Sequence, residues 1–194
     1  MDASIKKAIQ DEIAAANTKK ASKSSPKSGS SGTATTNSTT AKPSNTVLSL
    51  TPEEQALSSS FSGNQGKLPW PVAKGAKTSD FGNYPHPDVP SVMIENKGID
   101  ILVEAGTQVR AIFQGEVSAV LDIFGTKVLM IRHGDYITVY QNLANVTLKK
   151  GDKVTTKQTI GTVAQSSSSS GYELHFEVWK NSSYLNPNLW LAKK

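Results

Sequence analysis

From Asp100 to Leu143 the chain reads "DILVEAGTQVRAIFQGEVSAVLDIFGTKVLMIRHGDYITVYQNL". Its short apolar runs alternate with polar residues and break at Gly106, Gly115, Gly125 and Gly134–Asp135. No run is long enough to carry a helical period, whereas alternation between turn residues is the signature of antiparallel strands. "HGDY" reads as the turn between strands at 126–132 and 136–140, which gives His133 a conformational role there. "GTQVRAIFQGEV" (106–117) and "GDKVTTKQTIGTV" (151–163) echo one another, each as strand, tight turn, strand. The expected fold is mainly β, a folded-over β-sandwich or small barrel over 67–194. "LNPNLWL" (185–191) closes it, with Leu189, Trp190 and Leu191 packing back on the sheet.

Upstream of this block the pattern differs. Residues 1–19 read as a helix with a stripe of Ala3, Ile5, Ala8, Ile9, Ile13, Ala15 and Ala16. A lone helix of this length is marginal in water, so it is expected to end a longer coiled coil or to await a partner. Residues 20–47 are rich in Ser, Thr, Lys and Gly and lack aromatics, which predicts a disordered linker. Residues 48–66 contain a short helix at 52–62: Thr51 as N-cap, Pro52 at N1, Glu53 and Glu54 in the first turn, Gly63 as the stop. Leu57 and Phe61 share one face of it.

The net charge of +5 is concentrated at the start. Residues 1–47 carry seven Lys against three acidic residues, leaving +1 for everything after. The β block therefore offers no basic face for nucleic acid. With no cysteine in the chain, thiolate metal sites, a Cys nucleophile and disulfides are excluded. No 18-residue apolar run and no signal-peptide core occur, so an export signal is expected upstream.

Two segments carry candidate chemistry. Asp100 lies between apolar neighbours in "GIDI", where a carboxylate is costly unless paired or ligating. In "YELHFEVW", Glu173, His175 and Glu177 fall on one strand face, which is either a polar groove or a solvent-facing surface. The three histidines, His86, His133 and His175, are never four residues apart.

Taken in order, "FGNYPHP", "NKGIDI", "AGTQVRAIFQGEV", "IRHGDYITVYQNL", "KKGDKVTTKQTIGTV" and "ELHFEVW" resemble the LytM/lysostaphin-type zinc endopeptidase domain over roughly 68–191. The "GKLPWPV" lead-in, the polar linker and the first helix resemble the EnvC-like murein hydrolase activators in particular. The resemblance implies two zinc ligands in H-x-x-x-D, a third in H-x-H, and further active-site histidines. This chain has Asn96 where the first ligand histidine would stand, and Asp100 matches. His175 matches the last ligand, Glu173 replaces the catalytic histidine of H-x-H, and Asn142 in "YQNL" replaces another. Tyr84 stands where the family has Arg. Two ligands of three, with an amide beside them, are a poor zinc site.

The resemblance with these losses implies no catalytic residue, no bound metal and no cofactor. It implies a regulator that binds and activates an N-acetylmuramoyl-L-alanine amidase in the periplasm at the division site. Asn96, Asp100, Asn142, Glu173 and His175 would floor a partner-binding groove that still meets peptidoglycan. A helical segment, either 52–62 through Leu57 and Phe61 or 1–19, would cover that groove until an upstream coiled coil, coupled to a membrane transporter-type division complex, withdraws it. A second expectation is a zinc metalloendopeptidase that cleaves peptidoglycan cross-links with an altered ligand set of Asp100, His175 and His86. A biotinyl-type carrier is a third, but none of Met1, Met93 and Met130 adjoins a lysine.

Overall fold

Antiparallel pairing organises nearly the whole chain after residue 75. The computed structural model describes residues 2–21, 50–85, 89–123, 125–166 and 171–193. Apart from Lys20 and Ala21, the expected linker at 20–47 lies outside them, as does His86. Helices α1 (Asp2–Ala21) and α2 (Pro52–Gly63) come first. Then follow β1 (Ala76–Ser79), β2 (Gly82–Pro85), β3 (Met93–Asn96), β4 (Ile99–Val103), β5 (Gln108–Arg110) and β6 (Gly115–Ile123). The rest are β7 (Thr126–His133), β8 (Tyr136–Ala144), β9 (Lys153–Val154), β10 (Thr159–Val163), β11 (Tyr172–Lys180) and β12 (Ser183–Leu185), with a 3-10 turn at Pro187–Leu189.

The main sheet runs β1-β4-β11-β8-β7-β6-β9, while β2 and β3 form a separate hairpin. The two echoed segments interlock. β5 pairs with β10 and β6 with β9, so each half of one echo is completed by a half of the other. β8 changes partner along its length, pairing with β11 over 136–141 and with β10 at 143–144. Asn142 sits at the changeover with φ of 62°, a left-handed conformation that Asn tolerates better than most residues.

Alternation along the strands divides the sheet into two faces. Ile99, Ile101, Leu129, Ile131, Tyr140, Leu174, Phe176 and Val178 enter the main core. That core is closed by α2 and by the C-terminal segment, where Leu68 bridges Leu191 and the Trp190 carbonyl accepts from the Gly66 and Leu68 amides. On the opposite face Val128, Met130, Ile137, Val139 and Trp179 form a second apolar cluster.

α2 begins in a capping box. The Glu54 amide donates to Thr51 Oγ1 at 3.2 Å and the Thr51 amide to Glu54 Oε2 at 2.8 Å. It lies on the β7–β8 hairpin, with an ion pair from Glu54 to Arg132 at 3.2 Å and a hydrogen bond from Ser58 to Asp135. Gly134 permits this approach, because a Cβ there would strike the Glu54 carbonyl. Phe61 is fully buried, 4.9 Å from the His133 ring centroid and 4.8 Å from that of Tyr136. Leu57 is half-buried. α2 thus braces the main core.

Two expectations are corrected. His133 is a core residue ending β7, rather than a turn residue. Its Nδ1–H donates to the Gln114 carbonyl at 2.7 Å, and its Nε2 accepts from the Thr138 hydroxyl at 2.9 Å. Leu189 is 59 % exposed, because the 3-10 turn points it outward while Trp190 and Leu191 are buried.

Candidate functional site

The polar residues singled out in the sequence collect on the second face, where β4, β11 and β8 lie side by side. Register places Asp100 opposite His175 and His175 opposite Gln141. Cross-strand partners in such a ladder bring their side chains within contact distance. Asn96, at the end of β3, reaches the same point through the turn at Lys97 and Gly98. Gly98 has no room for a side chain, since a Cβ would strike the Phe176 carbonyl on β11.

A continuous chain of hydrogen bonds results. The buried Gly98 amide donates to Asn96 Oδ1 at 3.0 Å, and Asn96 Nδ2 donates to Asp100 Oδ2 at 2.9 Å. Asp100 Oδ1 lies 2.5 Å from His175 Nδ1. His175 Nε2 lies 3.0 Å from Glu177 Oε1, which also accepts from Gln141 Nε2 at 2.9 Å. Glu177 Oε2 accepts from the Trp179 indole at 2.6 Å.

Both His175 nitrogens face carboxylate oxygens, so both must donate, which requires the imidazolium form. Burial works against that charge. The hydrogen bonds and charges of Asp100 and Glu177 outweigh it, and the pKa of His175 rises to about 9.

Asn142 and Glu173 belong to the neighbourhood but not to this chain. Asn142 Nδ2 donates to the Ala164 carbonyl at 3.1 Å and the Glu173 carbonyl at 2.7 Å, tying together the two strands that divide at β8. The Glu173 carboxylate accepts from Thr78 of β1 at 2.6 Å. Glu177 was picked out with Glu173 and His175 by strand alternation, whereas Gln141 and Trp179 were not singled out in the sequence. At 1 % exposure Glu177 shows that this end of the face is closed to solvent.

The described residues do not fit a tetrahedral zinc ion. The Asn96 amide oxygen is committed to the Gly98 N–H. Among the described residues no group of three His, Cys, Asp or Glu side chains is placed to hold a metal.

Two features border the cluster. Trp179 passes from Glu177 into the second apolar cluster, where α1 seats Ile5 and Ile9, one helical turn apart and both buried. Lys150 pairs with Glu12 of α1 at 2.6 Å. On the other side, a cleft of about 230 Å³ is lined by Phe81, Asn83, Glu95, Asn96, Lys97 and Tyr184. Tyr184 packs on the second apolar cluster as well.

Comparison with known proteins agrees with this architecture. Residues 95–187 match Peptidase family M23. An uncharacterized metalloprotease of Buchnera aphidicola is 34 % identical over 94 residues, covering 47 % of this chain and 25 % of that protein. Stage II sporulation protein Q of Bacillus subtilis is 37 % identical over 104 residues, 50 % of this chain and 37 % of its own length. The chain thus spans roughly a quarter to a third of these relatives. The catalytic domain of the prophage-encoded M23 protein EnpA from Enterococcus faecalis, solved as an alanine-to-histidine mutant, superposes with a TM-score of 0.53 at 28 % identity. That match covers 62 % of this chain and 95 % of the solved one. The family match over 95–187 and the superposition on a solved M23 catalytic domain give the β domain of this chain the fold of peptidase family M23.

Proposed function

We propose that this chain is a non-catalytic activator of cell-wall hydrolysis, which binds and activates an N-acetylmuramoyl-L-alanine amidase when the wall is split at division. The observation that supports this reading is the closed hydrogen-bond chain from Gly98 to Trp179. Asn96, Asp100 and His175 spend on one another the atoms a metallopeptidase would spend on its metal, and the imidazolium occupies the middle of the site. What remains is a shaped surface of amide, carboxylate and imidazolium groups, with Asn142 and Glu173 on its border. Such a surface suits recognition of a polypeptide by hydrogen bonds.

The covering segment in this reading is α1 rather than α2. Ile5 and Ile9 lie on the apolar half of the same face, whereas Phe61 lies in the main core. Withdrawal of α1, through an upstream coiled coil coupled to a membrane transporter-type complex in the cell envelope, would open the face to the amidase. Among the described residues no helix is long and apolar enough to cross a membrane.

The test combines the full chain with candidate amidases and purified peptidoglycan, with zinc measured on the same sample. Stimulated amidase turnover, with no cleavage by the chain alone, is the expected result. Stoichiometric zinc together with cleavage of peptidoglycan cross-links would establish the metalloendopeptidase reading, with Asp100, His175 and His86 as the ligand set to mutate.

A further inference from the structure

β6 is an edge strand for the second half of its length. β9 covers its outer side only at Gly115 and Glu116, and the last main-chain bonds on that side join Val117 to Gly151 and Asp152. A register shift follows between Val117 and Ala119. Beyond it β6 pairs with β7 without a break, from Ala119 opposite Met130 to Ile123 opposite Thr126. Among the described residues no strand pairs with the outer side of 119–123. The backbone donors and acceptors on that side face outward in strand conformation.

Such an edge is a template for another strand unless a lysine, a proline or a bulge within it blunts the pairing. The stretch reads Ala-Val-Leu-Asp-Ile, with neither lysine nor proline, and the register shift lies before it. Its side chains suit burial on both faces. Ala119, Leu121 and Ile123 pack against the second apolar cluster and Val120 against the main core, yet all four keep some surface exposed. The one charge, Asp122, is offset by Lys127 of its own chain at 3.8 Å.

The open stretch is complementary to itself. Antiparallel pairing sets opposite residues on the same face of the sheet. A two-fold axis through Leu121 places Leu121 against its own copy, Ala119 against Ile123 and Val120 against Asp122. Every open residue then has a partner, the second apolar cluster continues across the axis, and no charge meets its copy. An axis through Asp122 would oppose two carboxylates, and one through Val120 would draw in the buried Ser118 at the register shift. We propose that β6 pairs with β6 of a second copy about Leu121, joining the two main sheets into one across a two-fold axis. With so short an edge the association is weak and reversible, below the area of standard interfaces. The inference rests on this edge alone and does not depend on amidase activation.

Sedimentation equilibrium of the full chain, taken up to about 1 mM, should show a reversible monomer–dimer equilibrium. Because the chain has no cysteine, single Cys variants report the register directly. Leu121→Cys should form a disulfide with its own copy under mild oxidation, since the two Cβ atoms face each other across the axis. Lys153→Cys, on β9 and far from the axis, should not. Asp122→Lys gathers like charges near the axis and should raise the dissociation constant about fivefold at low salt, with an unchanged melting temperature at this exposed position. Leu121→Lys opposes two ammonium groups and should leave only monomer, with Asp122→Lys guarding against a folding failure there. Ile5→Asp with Ile9→Asp should keep the dimer. A chain that stays monomeric throughout, a Leu121→Cys variant that cross-links no faster than Lys153→Cys, or a dimer that survives both lysine variants would overturn the proposal. Loss of the dimer in the Ile5→Asp, Ile9→Asp variant would also overturn it, by assigning association to exchange of α1 between copies.

Discussion

Asn96 Nδ2 donates to Asp100 Oδ2 across 2.9 Å, joining the residue in the place of a lost ligand to one that matches a retained ligand. The amide does two jobs, since its oxygen also accepts the buried Gly98 N–H. Asn96→His removes that acceptor. Leaving a buried donor unsatisfied costs about 1–3 kcal/mol. The metal-free variant should therefore melt below wild type. Zinc should raise its melting temperature, as a ligand that binds only the folded state does, and should leave wild type unmoved. Peptidoglycan cleavage should stay absent while Glu173 and Asn142 remain. Differential scanning fluorimetry with and without zinc, followed by a cleavage assay, checks both parts.

Asn142 serves the backbone at the point where β8 changes partners. Asn142→Ala loses both carbonyl contacts and places a Cβ residue without a local polar group at φ of 62°. Conformation and lost bonds together should cost about 2–4 kcal/mol. Asn142→Gly keeps the conformation available and should cost less. Chemical denaturation of the two variants separates the contributions, and equal losses would assign the whole effect to the hydrogen bonds.

Among the described side chains of α1, Ile5 and Ile9 are the buried ones that hold it. Burial of each contributes about 1.5–3 kcal/mol, against the ordering of a helix that is marginal alone. Seating is thus close to balance, and Ile5→Asp with Ile9→Asp should release α1. The β domain should keep its melting temperature within a few degrees. An apolar dye should bind to the uncovered Val128, Met130, Val139 and Trp179, and stimulation of the amidase should rise. A double variant with lower dye binding than wild type would contradict the seating.

His133 and His175 make stability depend on pH in opposite senses. Burial pushes the His133 pKa down to about 4, so its contribution is complete above the ordinary value of 6.5 and is lost as pH falls toward 4. At about 1.4 kcal/mol per unit, that limb amounts to about 3 kcal/mol. The His175 pKa is raised to about 9, so its contribution is complete below 6.5 and is lost as pH rises through 9. Stability should peak near pH 6.5. His175→Gln should flatten the alkaline limb and leave the acid limb in place, which urea unfolding across pH 4.5–9.5 measures.

Truncating α2 distinguishes brace from cover. Phe61→Ala should cost about 3–5 kcal/mol, as large-to-small changes in aromatic cores do. Leu57→Ala, at a half-buried position, should cost well under that. Thermal unfolding of both variants provides the comparison.

Strand alternation and turn residues made the β architecture legible, because period-two burial and glycine breaks are local properties of the chain. The capping box of α2 was equally local. Asn96, Asp100 and His175 could be brought together from motif order. Gln141 and Trp179 could not, since their roles arise from cross-strand register and from an indole N–H reaching back along β11. The face of β11 left two readings open because periodicity shows which residues share a face but not what covers it. For the same reason the stripe of α1 was visible, while its seat, built from β6, β7, β8 and β11, was not. Leu189 was misread because a 3-10 turn rotates neighbouring side chains differently from a strand.

The seat of α1 also sets an order of assembly. α1 leaves the ribosome before any strand of the sheet, whereas Trp179, which completes the seat, follows about 170 residues later. At typical synthesis rates that interval is on the order of 10 to 30 s. Through it, Ile5 and Ile9 have no resting place in their own chain. Docking of α1 therefore waits for β11, and a rival helix present when β11 pairs meets an empty bed rather than one it must clear.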